Sequence, residues 1–185
     1  VQFLKILLTV FKEDYHKIVD MEEVAERSYD AMEQYLLIQE KASEKLHEAH
    51  SKVGPAYEAF AARHNVRLTE AQATKLAQRL DQAGKVNSYM NKVFLLFFKS
   101  SVQEELMLEA LKNNDVSGVE QSKNSLSKFS SEGLARLDTM KDFKGDASLV
   151  TACRKVLEYL KDEADGKASY MTDFLMRKEE FEKLK

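Results

Sequence analysis

Between Leu4 and Phe60 the chain keeps a seven-residue rhythm. Leu4, Leu7, Phe11, Asp14, Ile18, Met21, Ala25, Ser28, Met32, Tyr35, Gln39, Ala42, Leu46, Ala49, Val53, Ala56 and Phe60 follow one another in alternating steps of three and four. Such steps place the residues on one stripe of a helix, and Asp14, Ser28 and Gln39 are the polar interruptions. Ala31, Leu36 and Ile38 widen the stripe to the breadth a bundle helix needs. Six Gly and one Pro in 185 residues leave few places for turns, so the chain is expected to form few, long helices. Pro55 removes a donor and crowds the carbonyl of Ser51, which predicts a kink or short break at Gly54-Pro55 with the phase of the stripe kept. Asn65, tolerant of the left-handed conformation, predicts the end of that helix.

Downstream, Thr69-Glu70-Ala71-Gln72 has the form of a capping box, with Leu68 placed as a hydrophobic staple. A second helix is predicted from about Glu70 to Lys112. It contains Val93-Phe94-Leu95-Leu96-Phe97-Phe98, an apolar run read as a helix segment greasy all round and therefore surrounded by neighbours. Phe94 and Phe97 are the residues expected to be fully buried at mid-bundle. Asp115 or Ser117 can cap a third helix, whose stripe is Val119, Leu126, Phe129, Leu134, Leu137 and Met140, with Gly133 positioned for close approach of a neighbour. Phe143-Lys144-Gly145 closes that segment. Asp146 or Ser148 can cap a last helix carrying Leu149, Cys153, Val156, Leu160, Tyr170, Phe174, Phe181 and Leu184, broadened by Val150, Leu157, Ala164, Ala168, Met171 and Leu175.

The expected fold is all-α: an elongated up-down-up-down four-helix bundle with an additional N-terminal helical segment. The chain is read as one domain, with residues 1–19 as an amphipathic segment and 20–185 as the bundle. Helices of roughly 45 residues are about 65 Å long at 1.5 Å per residue, so the first nineteen residues either extend beyond the bundle or fold back on it.

Composition narrows the function classes. Net charge is -3 and the pI is near 5.9. No basic face marks a nucleic-acid partner. Cys153 is the single cysteine, so an intrachain disulfide is excluded; it lies on an apolar stripe and reads as a small buried hydrophobe. No apolar stretch reaches the ~18 residues of a spanning helix. The start, Val1 to Phe11, has the greasiness of a signal core without a basic beginning or an Ala-x-Ala-like site; any signal peptide is expected to have been removed before Val1.

Chemistry-bearing patterns are few. Glu13-x-x-His16 and Glu44-x-x-His47 match the unit used by di-iron bundles. Both lie in the first half of the chain, and Glu44 and His47 fall on the face away from Leu46 and Ala49, so all four are expected to face solvent. His47 and His50 could catch a surface ion. Nucleophile elbows, phosphate loops and dinucleotide turns are missing from the sequence. No catalytic residue, cofactor or metal ligand is assigned.

The combination of Ala61-Ala62-Arg63-His64-Asn65-Val66 after a long helix, then Leu126 to Phe143, then Leu149 to Tyr159, resembles a family of bacterial surface proteins and lipoproteins known from spirochaetes and Bacteroidetes. The resemblance implies a helical bundle exported to the cell envelope. It carries over no functional residue.

The reading that follows is a non-enzymatic helical-bundle protein of the bacterial cell envelope, acting as a binding or structural module. The alternatives are a metal-binding or storage bundle using the Glu-x-x-His pairs, and a cytoplasmic coiled-coil adaptor. The candidate interaction surface is Phe3, Leu4, Leu7, Leu8 and Phe11, because this segment is more apolar than one inward stripe requires. It would fold back on its own domain, contact a membrane surface, dock on a protein partner or pair with a second copy.

Overall fold

A computed structural model describes residues 2–67 and 75–184. Among them every regular element is a helix: α1 (Gln2–Thr9), α2 (Tyr15–Ala25), α3 (Tyr29–Ser51), α4 (Val53–His64), α5 (Lys75–Lys112), α6 (Val116–Thr139), α7 (Ser148–Asp162) and α8 (Ala168–Lys183). A wide π turn at Val10–Asp14 joins α1 to α2, and another at Glu163–Lys167 joins α7 to α8. The all-α helical bundle expected from the sequence is what the chain forms. Its packing divides into two compact units, Val1–Ser88 and Tyr89–Lys185, with the division falling inside α5. The buried apolar residues gather separately within each unit.

In the first unit, α1 and α2 run antiparallel to α3. The chain turns at 26–28, and Ser28 takes an extended conformation at the start of α3. The seven-residue rhythm passes through this turn without a Gly or Pro, which is why the sequence suggests one continuous helix there. Val10, Ile18 and Ala42 form the interior, with Ile6, Tyr35, Ile38 and Leu46 packed on it. The inward row is therefore Ile6, Val10, Asp14 and Ile18, not the Leu4–Leu7–Phe11 phase expected. Three successive steps of four drift off an ordinary helix face; the wide turn, with i→i+5 bonding, holds them in line. Asp14 is largely covered and pairs with Lys45 of α3 at 2.7 Å. From Ile18 to Ala49 the expected stripe holds: Ala25, Met32, Ala42 and Ala49 are buried. The predicted break near Gly54-Pro55 occurs at Lys52, between α3 and α4. The phase slips there, because Phe60 is exposed and Ala61 is buried instead. Asn65 ends α4 in the left-handed conformation with φ 51°. The Thr69 capping box lies outside the described residues. Ser88 of α5 donates to Glu40 of α3 at 2.7 Å.

The second unit is a three-helix arrangement of α5 from Tyr89 onward, α6, and the joined α7–α8. Asp115 caps α6 by accepting from the backbone N–H of Gly118 at 2.9 Å. Lys144 and Gly145 both have positive φ, 54° and 86°, between the bridged residues Phe143 and Asp146. That is the primed-turn geometry, for which a Gly at the second position is suited. Asp146 accepts from Ser148 N–H at 2.8 Å at the start of α7, and its carboxyl is held below the usual range first by the Ser148 hydroxyl and then by this backbone bond.

Two expectations are corrected here. The run 93–98 is not buried all round: Val93 is the buried member, Phe94 is 37% exposed and Phe97 is half-buried. Phe94 stands one residue past the buried Val93 and is turned to the more exposed side of the helix. On α7–α8 the buried line is Val150, Cys153, Leu157, Leu160, Ala164, Ala168, Thr172 and Leu175, whereas Tyr170, Phe174 and Phe181 are exposed. The second π turn again keeps a row spaced by four, Leu160–Ala164–Ala168–Thr172, facing the same neighbours. Gly133 does allow close approach: a Cβ there would stand 2.8 Å from Leu157 Cδ1.

Candidate interaction surface

The first helix presents two apolar rows. One faces α3 through Ile6, Val10 and Ile18. The other looks outward: Leu4, Leu8, Phe11, Tyr15 and Val19 are 67%, 66%, 56%, 42% and 63% exposed. These five lie at steps of four, three, four and four, so they form one continuous band about 22 Å long at 1.5 Å per residue. Phe11 and Tyr15 stack on each other with ring centroids 5.1 Å apart. Pre-stacked rings give the band a firm centre at little further cost in side-chain entropy.

Of the five candidate residues, Leu4, Leu8 and Phe11 belong to this band. Phe3 and Leu7 are half-buried, and the Phe3 ring lies 6.4 Å from that of His50 on α3. Segment 1–19 is thus neither wholly folded back nor wholly open; its inward row is used by the hairpin and its outward row is bare. Tyr15 and Val19 extend the band beyond the five candidate residues. The signal for them was the four-spacing that continues from Phe11, which the seven-residue phase obscured.

Glu13, His16, Glu44 and His47 are all exposed. His16 lies 3.6 Å from Asp20 on its own helix. Among the described residues no three His, Cys, Asp or Glu side chains gather as a metal site. Cys153 is buried, with its sulfur 3.8 Å from the carbonyl oxygen of Val93, and burial pushes its thiol pKa up. A thiol so placed is a poor nucleophile.

A polar concavity lies on the second unit. Lys123, Asn124, Ser127, Lys128, Asp165 and Ser169 line an open groove of about 490 Å³. Two of its charged groups are already engaged within the fold: Lys123 with Glu120 at 2.8 Å, and Asp165 with Lys161 and Ser127. Those partners hold the Asp165 carboxyl below its ordinary pKa. Nearer the core, Glu104 of α5 has its pKa raised, first by burial and then by the neighbouring Glu163 carboxylate. Oε2 of Glu163 is buried with no hydrogen-bond partner among the described residues. No sequence motif marks this pair, since its members are 59 positions apart and meet only through the packing of α5 on the second π turn.

Comparison with protein-family models, curated proteins and solved structures finds no match to the chain. Among the described residues no helix is long and apolar enough to cross a membrane.

Proposed function

We propose that this chain is a non-enzymatic binding module of the bacterial cell envelope, working through the outward face of its first helix. The observation that carries the binding role is the bare band Leu4–Leu8–Phe11–Tyr15–Val19 beside an inward row that the hairpin already satisfies. An apolar face of this length, left open after the local core is filled, is characteristic of a surface that meets a partner. The envelope placement is supported by the sequence resemblance alone.

The test is a substitution that changes the band without touching the core. Leu8→Glu combined with Phe11→Glu is expected to leave helicity and melting close to wild type while abolishing whatever association the wild-type chain shows. A fall in melting temperature of ten degrees or more would mean that the band is used inside the chain, and would overturn the reading. Fractionation of cells expressing the natural gene from its own upstream codons tests the envelope placement; recovery wholly in the cytoplasmic fraction would refute it.

A further inference from the structure

The charges beside the band choose among its occupants. Along the edge one residue past each band position stand Lys5, Thr9, Lys12, His16 and Asp20. The edge is basic toward the start of the helix and acidic toward its end. The wider surface follows the same gradient: Lys5 and Lys12 are the charges before residue 13, whereas Glu13, Asp20, Glu22 and Glu26 stand against Lys17 and Arg27 in the stretch that follows. A helix lying on anionic lipid carries Lys and Arg along its whole polar face. Here the second half of the helix would be repelled by such a surface.

A second copy of the same helix, laid antiparallel, meets the gradient with its own reverse. Two-fold symmetric contacts put residue i of one copy against residue j of the other, and j against i. With Leu4 opposite Val19 and Leu8 opposite Tyr15, the two Phe11 rings meet at the axis. Lys5 of each copy then comes beside Asp20 of the other. Asp20 is exposed and, among the described residues, its ion-pair contact is the one to His16 at 3.6 Å. Resting on the binding reading above, we propose that the band is a homodimer interface in which the first helices of two copies pack antiparallel, with Phe11 at the two-fold axis and Lys5–Asp20 pairs at both ends.

Sedimentation equilibrium of the full chain at 1–100 μM tests this. The wild type is expected to be dimeric in that range, Leu8→Glu to weaken dimerisation at least tenfold, and Asp20→Lys to weaken it severalfold. The double variant Lys5→Glu with Asp20→Lys restores the pairing only in the antiparallel arrangement, and its recovery to near wild-type affinity is the expected result. A dimer that ignores Leu8→Glu, or a double variant no better than Asp20→Lys alone, would overturn the proposal. So would a wild type monomeric throughout. In that event Leu8→Cys, probed with a thiol reagent against the buried Cys153, separates the causes. Rapid labelling leaves the binding face intact and removes only the second copy as its occupant. Slow labelling shows that the chain covers its own band, and both readings fall. Binding of a monomeric wild type to vesicles of phosphatidylcholine and phosphatidylglycerol would assign the face to lipid and likewise overturn the dimer.

Discussion

The two units close their interiors differently. In the second unit three helices surround one line of side chains, and Val93, Met107, Val119, Leu126, Leu137, Leu157 and Leu160 are all essentially sealed from solvent. In the first unit α1–α2 and α3 form a two-layer hairpin, whose inner cluster is Val10, Ile18 and Ala42, with alanines supplying much of the rest. Two helices share one seam, whereas three enclose a volume. The second unit thus seals a line of large side chains while still leaving Tyr170, Phe174 and Phe181 on its surface, whereas the first seals mostly small ones and leaves the Leu4–Val19 band outside. The contrast teaches that surplus hydrophobicity reads as surface or interior according to the number of helices available to cover it.

The largest effect that would sharpen this contrast is at Leu157, fully buried against Gly133. Leu157→Ala is expected to cost about 2–5 kcal/mol, the range for truncating a sealed leucine. Native-state hydrogen exchange should show the loss in amides of α6 and α7 with α2 unaffected, since opening is local to a cooperative unit. Equal loss of protection in α2 would show that the two units unfold as one and would break the comparison.

Gly133→Ala is expected to be smaller. The added methyl meets Leu157 Cδ1 at 2.8 Å, and a sealed leucine has little room to turn away. Overpacking costs about 1–3 kcal/mol, and replacing a helical Gly by Ala returns about 1 kcal/mol. A net loss near 1 kcal/mol in denaturant melts is the expected balance. A gain would show that the α6–α7 contact is looser than its geometry implies.

Much of this second unit was legible in the sequence. Asp115 as the cap of α6, the close approach at Gly133, the turn at Lys144-Gly145 and the burial of Cys153 all follow from local chemistry that tertiary contacts did not override. The phase errors share one cause. Ile6–Val10–Asp14–Ile18 and Leu160–Ala164–Ala168–Thr172 are spaced by four throughout, and a strict seven-residue stripe cannot accommodate such rows. Each is accommodated by a π turn, which no residue type signals by itself. The turn at 26–28 was hidden because Ser28 stands in phase with Ala25 and Met32. The run 93–98 misled because consecutive apolar residues carry no information about which side is covered. For the candidate surface, Leu4, Leu8 and Phe11 were visible as surplus, whereas the pairing of Glu104 with Glu163 depends on packing between distant segments.

That carboxyl pair gives a prediction of sign. A group whose pKa is raised by folding holds its proton more tightly in the folded state. Its contribution to stability is therefore present at low pH and is lost as pH rises through the raised value. The charged form of Glu104 is opposed first by burial and then by the Glu163 carboxylate. Glu104→Gln is expected to stabilise the chain modestly at pH 7, and to offer no advantage below about pH 4.3, where an ordinary Glu is itself neutral. The amide also supplies a donor that Glu163 Oε2 lacks. Thermal melts from pH 4 to 8 check this; an advantage that grows as pH falls would reverse the assigned sign.

The smallest effect is expected on the band itself, and its smallness is the point. Leu8 is exposed at a position where Leu157 is sealed, so truncating it removes no neighbour and opens no cavity. Leu8→Ala, measured well below the concentration at which the chain associates, is expected to change stability by no more than about 0.5 kcal/mol, the range for surface substitutions. Alanine also matches or exceeds leucine in helix propensity, so α1 itself should not fray. The same substitution measured at high concentration should lower the melting temperature relative to wild type, because partners that bind only the folded state add stability by mass action. A concentration-dependent difference therefore places the leucine at an interface between copies. A large loss that is identical at 1 and 100 μM places it inside the chain's own fold, and the contrast between a closed unit and an open one would then disappear.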